Sequence, residues 1–361
     1  MKKRIFTLAM FAMASAAFVN CSNNNDGTIE NPNGALYDEV LTNVANNVIV
    51  ETYDELNTKA TALKAAINAM TFPVTENQLE AVKAAWQATR APWEQSESFL
   101  YGPVGIEEVV DPAIDSWPVD VAAIEVIKNN GAAITASSLA TNDDARGFHT
   151  IEYFIWGINS NKAAADITAR EVEFLKAAAD DLQQNTQKLY DAWKTGGGNY
   201  AANFSNAGGT GSVYPSQKAA LDEISQGLSG IATEVATGKI EEPLNGNGNA
   251  PKPEAEESRF SNNSKLDFAN NIRSIQNIYS GDFNGATGKG LTDVVSLVNP
   301  TLDNTIKTKI ADAISAIDAI PGTFTNAITN NRTAVQNAQT KVNELKTLLE
   351  SQLQPLITNL Q

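Results

Sequence analysis

The chain has one histidine, and its surroundings are unusual for a titratable group. His149 lies in "RGFHTIEYFIWG" (residues 146–157), three positions before Glu152, in a run that is otherwise mostly apolar or aromatic. On a helix, residues three apart share a face. The imidazole and the carboxylate therefore point together, and Tyr153 and Trp156 extend that face. Phe148, Ile151, Phe154 and Ile155 cover most of the remaining circumference. A helix that is apolar nearly all round is a buried one. A carboxylate inside it is costly unless it is paired or holds a cation. The pair can lock a core by a hydrogen bond, or it can supply ligands to a metal ion.

Two further stretches carry polar chemistry in apolar company. In "ATRAPWEQSESFLYGPVG" (88–105), Arg90, Glu94, Glu97 and Tyr101 are spaced to line one helix face, with Pro92 expected to bend or restart the helix. Trp93, Phe99 and Tyr101 beside the charges argue against a fully solvated ion-pair ladder. In "ESRFSNNSKLDFANNIRSIQNIYSG" (257–281), Asp267, Asn270, Asn271, Ser274 and Asn277 form a polar stripe opposite Phe268, Ile272, Ile275 and Ile278. Amides and hydroxyls in place of Lys and Glu suggest the wall of a water-filled cleft; the alternative is ordinary surface.

Missing motifs narrow the chemistry. A single histidine and a single cysteine rule out an HExxH site, a His₃ cage and a structural Cys/His zinc site. A Ser–His–Asp triad would have to use His149, and no GxSxG elbow is present. Any metal site must combine one imidazole with oxygen ligands. Such a site suits iron, manganese, calcium or zinc, and the sequence does not choose among them.

These residues must be positioned by helices. Tyr37, Val40, Leu41, Val44 and Val48 recur at helical spacing, as do Leu302, Ile306, Ile310, Ile314 and Ile317, and then Val335, Ala338, Val342, Leu345, Leu349 and Leu353. One-sided stripes of this kind predict antiparallel helical bundles. A boundary near residue 165 divides the chain into an N-terminal bundle, 36–165, and a C-terminal bundle, 166–361. Two Gly- and Pro-rich stretches, 195–212 and 245–258, read as long surface connections of the kind that form lids or rims. The first has no phosphate-cradling order of glycines.

The 361 residues are 42% apolar with a formal net charge of −16. That describes a globular chain without the basic footprint nucleic-acid binding requires. Lys2, Lys3 and Arg4 precede an apolar run from Ile5 to Val19 that is too short to span a bilayer, and Cys21 follows. Residues 1–21 thus read as a lipoprotein signal peptide with Cys21 as the lipidated residue, and 22–35 as a flexible tether. The alternative is an ordinary secretory signal cleaved nearby.

Gly147-x-His149-x-x-Glu152, followed by Tyr153 and Trp156-Gly157, resembles the GxHxxE signature of the imelysin family. The blocks Arg90-Ala-Pro-Trp93-Glu94 through Glu97 to Tyr101-Gly-Pro, and Arg259-Phe-Ser261 with Asp267-Phe, Asn271-Ile and Tyr279-Ser-Gly281, resemble further parts of the same family. The resemblance implies an all-α fold of two helical bundles side by side, with the GxHxxE helix facing a cleft between them. It implies His149 and Glu152 as metal ligands, with Glu97 or Glu94 as a third. Arg90, Trp93, Gly147, Tyr153, Arg259, Asp267 and Asn271 would line the cleft. The expected function is a bacterial cell-envelope lipoprotein that binds a divalent or ferric ion, or a metal-bearing ligand, related to iron uptake and working beside an outer-membrane uptake partner. The alternatives are a metallopeptidase of the imelysin type and a metal-free protein that binds a peptide or small molecule.

Overall fold

The computed structural model describes residues 31–104 and 110–360. The signal segment and Cys21 lie outside the described residues. Residues 33–361 pack as one compact unit. No described helix is long and apolar enough to cross a membrane.

The described residues are helical, with no β-strand among them beyond isolated bridges at Asn247–Ala250 and Phe283–Ala286. The helices that matter for the site are α1 (Gly34–Asn43), α2 (Val50–Asn68), α3 (Glu76–Glu94), α4 (Val110–Asp115), α5 (Gly147–Trp156), α6 (Ala169–Trp193), α7 (Gln217–Glu234), α8 (Ser264–Ser280), α9 (Pro300–Asp318), α10 (Phe324–Asn330) and α11 (Arg332–Leu348). Local chemistry sets their ends. Thr75 and Gln78 form a capping box at the start of α3, and Thr168 and Glu171 another at the start of α6. Gly157 ends α5 with a φ of 71°, and Gly281 ends α8 with a φ of 78°.

The apolar stripes face inward as their spacing predicts: Val40, Leu41, Val44 and Val48 are fully buried, and so are Ile306, Ile317, Val335, Val342 and Leu345. α2 packs along α3 and α6, while α9 packs along α8 and α11. α3 meets α8, and α5 packs on α3, α4 and α6. The site forms around these crossings.

Two expectations are corrected here. Arg90, Glu94, Glu97 and Tyr101 do not share one helix. α3 runs through Pro92 and stops at Glu94, where the Ser96 hydroxyl donates to the Trp93 carbonyl at 2.6 Å and satisfies an end-of-helix acceptor. Glu97–Phe99 is a separate 3₁₀ turn, and Tyr101 joins an aromatic cluster with Trp193 and Phe204. The stripe on α8 is not a wet wall either. Asn271, Ser274 and Asp267 are fully buried, and the stripe packs on residues 94–98. Ser274 Oγ accepts from the Ser98 N–H at 2.9 Å, and Gln95 Nε2 donates to Asn270 Oδ1 at 3.0 Å. These polar side chains take hydrogen-bond partners from residues 94–98.

Candidate metal centre

α5 begins at Gly147, whose φ of 75° is left-handed and whose missing Cβ is essential: an added one would lie 2.4 Å from the Ile114 carbonyl oxygen. This close approach sets α5 against the end of α4, so His149 faces Asp115. His149 and Glu152 are both fully buried. His149 Nδ1 lies 2.8 Å from Glu152 Oε2. The other oxygen of Glu152 accepts from the Ser261 N–H at 2.8 Å and the Ser261 hydroxyl at 2.7 Å. Both oxygens of Glu152 are therefore engaged, and they hold the ring from behind.

The other ring nitrogen looks the opposite way. Nε2 lies 3.1 Å from Asp115 Oδ1 and 3.8 Å from Glu257 Oε1. It has no aligned hydrogen-bond partner although it is buried. Asp115 Oδ2 accepts from the Trp93 indole at 2.6 Å. Glu257 Oε2 pairs with Lys239 at 2.9 Å. Trp117 covers the imidazole, with ring centroids 4.8 Å apart.

A buried ion network surrounds this group. Arg90 is fully buried and pairs with Glu94, Asp115 and Glu257, with Asp267 at 3.5 Å from its Nε. Lys239, at the end of the π-helical turn Val235–Lys239, reaches Glu97 at 2.9 Å, Glu257 at 2.9 Å and Glu94 at 3.5 Å. Asn271 donates to Glu94 Oε2 at 2.6 Å and to Glu97 Oε2 at 2.8 Å. Glu94, Glu97, Asp115, Glu152, Glu257 and Asp267 thus face only Arg90 and Lys239 as permanent cations. Carboxylates outnumber the charges that compensate them.

The surplus shows in the proton affinities. Burial pushes Glu94 up to about 8, against the opposing pull of Arg90 and Lys239. Burial likewise raises Glu97 well above the usual range, Asp111 to about 7 and Asp267 to about 6. Asp115 and Glu257 go the other way. Burial alone would raise them, but Arg90 and His149 outweigh it at Asp115, and Lys239, His149 and Arg90 outweigh it at Glu257, holding both below the ordinary value. At His149, burial and the Arg90 charge disfavour the imidazolium, yet Asp115, Glu152 and Glu257 together raise it well above the usual histidine value. The two carboxylates nearest Nε2 stay ionised, and the site demands positive charge.

Of the residues expected in the site, His149, Glu152, Glu94, Glu97, Arg90, Trp93, Asp267 and Asn271 are brought together, and Gly147 permits the assembly. Tyr153 turns aside, half-buried against the rings of Phe154 and Phe260. Arg259 stands over the Phe260 ring on the rim of a separate cavity. Asp115, Lys239 and Glu257 were not anticipated. Glu257 has a sequence signal, since it opens the 257–281 block and ends the Glu-rich connection 245–258. Asp115 and Lys239 have none beyond charge.

The donor set fits a cation. One ligand atom from each of Asp115, His149 and Glu257 lies within 4.8 Å of the others, and a second such group is Glu94, Glu97 and Asp115. With one proton on Nδ1, donated to Glu152, Nε2 would become a ligand atom once its own proton, held by Asp115 and Glu257, is displaced by a cation. Histidine ligands of metals are commonly oriented by such a carboxylate behind the ring.

An all-helical chain that sinks one GxHxxE histidine among paired carboxylates belongs to a definite class. The family model described as imelysin, peptidase M75, matches residues 49–351, and the chain belongs to that family. It is 30% identical over 325 residues to iron-regulated protein A of Synechococcus elongatus, covering 88% of this chain and 86% of that protein. Among solved structures it resembles an iron-regulated protein A precursor from Parabacteroides distasonis, with a TM-score of 0.77, 29% identity, and coverage of 92% of this chain and 96% of the other. An imelysin-like protein from Psychrobacter arcticum shares the fold at a TM-score of 0.73 and 17% identity, covering 90% of this chain and 96% of the other.

Proposed function

We propose that this member of the imelysin family is a cell-envelope protein that binds a metal ion, iron being the first to test, through Asp115, His149 Nε2 and Glu257. The observation that carries the reading is the convergence of the buried Nε2 with Asp115 Oδ1 at 3.1 Å and Glu257 Oε1 at 3.8 Å, two carboxylates that stay ionised. Glu152 serves as the residue that orients the ring rather than as a ligand, because both its oxygens are already engaged. Arg90 and Lys239 hold the carboxylates in place and temper their repulsion. The names of the iron-regulated relatives support an iron connection, and the charged, apolar and cysteine-ended N-terminus supports lipid anchoring at Cys21 beside an uptake partner.

The family's peptidase classification supplies a second reading, in which the bound ion would polarise a scissile carbonyl and Glu94 or Glu97 would serve as base. Here Glu94 and Glu97 are held by Lys239 and Asn271, and the imidazole is sealed beneath Trp117. A peptide would have to displace these contacts to react, so binding ranks above cleavage.

Elemental analysis of protein dialysed against ferrous, ferric, zinc or manganese ions tests the reading. About one ion retained per chain, lost in His149→Ala and Asp115→Asn, is the expected result. Equal retention in the double variant would end it, and chelator-sensitive cleavage of denatured protein would reverse the ranking.

A further inference from the structure

A cavity of about 620 Å³ opens on the molecular surface beyond the C-terminal end of α5. Its walls come from three places: the turn after α5, the 253–262 connection, and α10 with Thr323 before it. Arg259 contributes the charge, and Ser160, Asn262, Thr323, Thr325 and Asn326 contribute hydroxyls and amides.

Arg259 is unlike every other described arginine. Arg90, Arg146, Arg170, Arg273 and Arg332 all donate hydrogen bonds to carboxylates, amides or carbonyls. Among the described residues, the Arg259 guanidinium has no such acceptor and instead lies over the Phe260 ring at 5.3 Å. Glu256, which feels the Arg259 charge, has its two oxygens already taken by the hydroxyls of Ser264 and Thr325. In a chain where acids outnumber bases 42 to 26, an arginine without a carboxylate is conspicuous. A planar guanidinium with its fork free is the usual means of gripping a carboxylate or another oxyanion through two parallel hydrogen bonds.

We infer that this cavity binds a small, hydroxylated monocarboxylate, gripped by Arg259 and hydrogen-bonded by the side-chain amides of Asn262 and Asn326. The lining holds a single cation and is otherwise neutral, so it offsets one negative charge. A dianion would meet the field of a strongly acidic protein with half its charge uncompensated. Ile158 and Pro253 add apolar area to the lining, but an apolar acid would leave the Asn262 and Asn326 amides desolvated without partners. The site shares no residue with the ion pocket at His149. It lies close to it, however: Phe260 stacks edge-on against Trp117, which covers the imidazole. Occupancy is therefore readable from an indole.

Titration with gluconate, followed by calorimetry and tryptophan fluorescence, tests the assignment on the full mature chain. Sorbitol serves as the neutral counterpart and inorganic phosphate as the dianionic one. Gluconate is expected to bind more tightly than either. Removal of a charge-assisted bond predicts that Arg259→Ala weakens gluconate binding roughly tenfold to a hundredfold. The half-exposed position makes an unchanged melting temperature the expected control. Arg259→Lys, which keeps the charge and loses the fork, is expected to fall between. Equal binding by Arg259→Ala, sorbitol as tight as gluconate, phosphate tighter than gluconate, or no binding of gluconate at millimolar concentration would each overturn the inference.

Discussion

Arg90 is the most exacting test of the buried network. Replacing it by Gln keeps some length and polarity and removes the charge. The side chain is fully buried, and Glu94, Asp115 and Glu257 pair with it directly. Deleting one partner of a buried ion pair costs about 3–5 kcal/mol, because the remaining charge is stranded. In a chain of this size that corresponds to a melting temperature lower by on the order of 10 °C. The penalty must depend on pH. With Arg90 present, Asp115 and Glu257 sit below their ordinary values, so their pairing stabilises the fold above the unfolded carboxylate range and fades as pH falls through the lowered values. Without Arg90 both groups lose one of the charges that hold them low, so less of that stabilisation is present at high pH. The gap between the two proteins is therefore widest near pH 8 and narrows toward pH 4. Urea and thermal unfolding followed by circular dichroism across that range measure it. Adding Asp115→Asn to Arg90→Gln should restore part of the loss, since one stranded charge disappears. A loss below about 1 kcal/mol at pH 8 on the stranded-charge estimate, or a gap independent of pH, would refute the account of a charge-starved interior.

Other outcomes follow from the same geometry. Glu152→Gln should leave the fold intact but weaken metal retention roughly tenfold to a hundredfold, as loss of an orienting carboxylate does elsewhere; dialysis against a graded chelator series reads it. Gly147→Ala places a Cβ 2.4 Å from the Ile114 carbonyl at a left-handed position. It should cost about 2–4 kcal/mol in unfolding experiments and loosen metal retention together with stability, because Ile114 carries Asp115 beside it. The metal-free protein should lose melting temperature between pH 5 and pH 8.5. Glu94 near 8, Asp111 near 7 and Asp267 near 6 are all raised by burial, so their contribution is present below the unfolded values and is lost as pH rises. Stabilisation by added metal should grow over that interval, since ligand protons must leave. The proposed lipid anchoring at Cys21, which lies outside the described residues, predicts separately that Cys21→Ala moves the protein from the membrane to the soluble fraction on ultracentrifugation of cell extracts.

Much of this was visible in the order of residues. The i, i+3 spacing of His149 and Glu152 in an apolar helix identified the only imidazole as a buried, functional candidate. Arg90 and Glu94 beside aromatic residues, and Asp267 and Asn271 in a polar stripe, were candidates with ordinary surface as the alternative, and the structure buries all four. The same local logic misjudged Tyr101, since a helical register projected past Pro92 ignores where the end of a helix finds acceptors for its last carbonyls. It also misread the α8 stripe as wet, because amides show only that they need partners and not whether water or residues 94–98 supply them.

What residue order determined by itself was helix content, the inward stripes and the pairing of His149 with Glu152, all of which are set by contacts within a few positions. Tertiary structure alone decided what faces Nε2. Asp115 comes from a six-residue helix, Glu257 from a connection and Lys239 from the end of a π-turn. No periodicity links them, because they converge through packing over more than a hundred positions. The field that ionises two of these carboxylates and protonates their neighbours exists only once that convergence has excluded water.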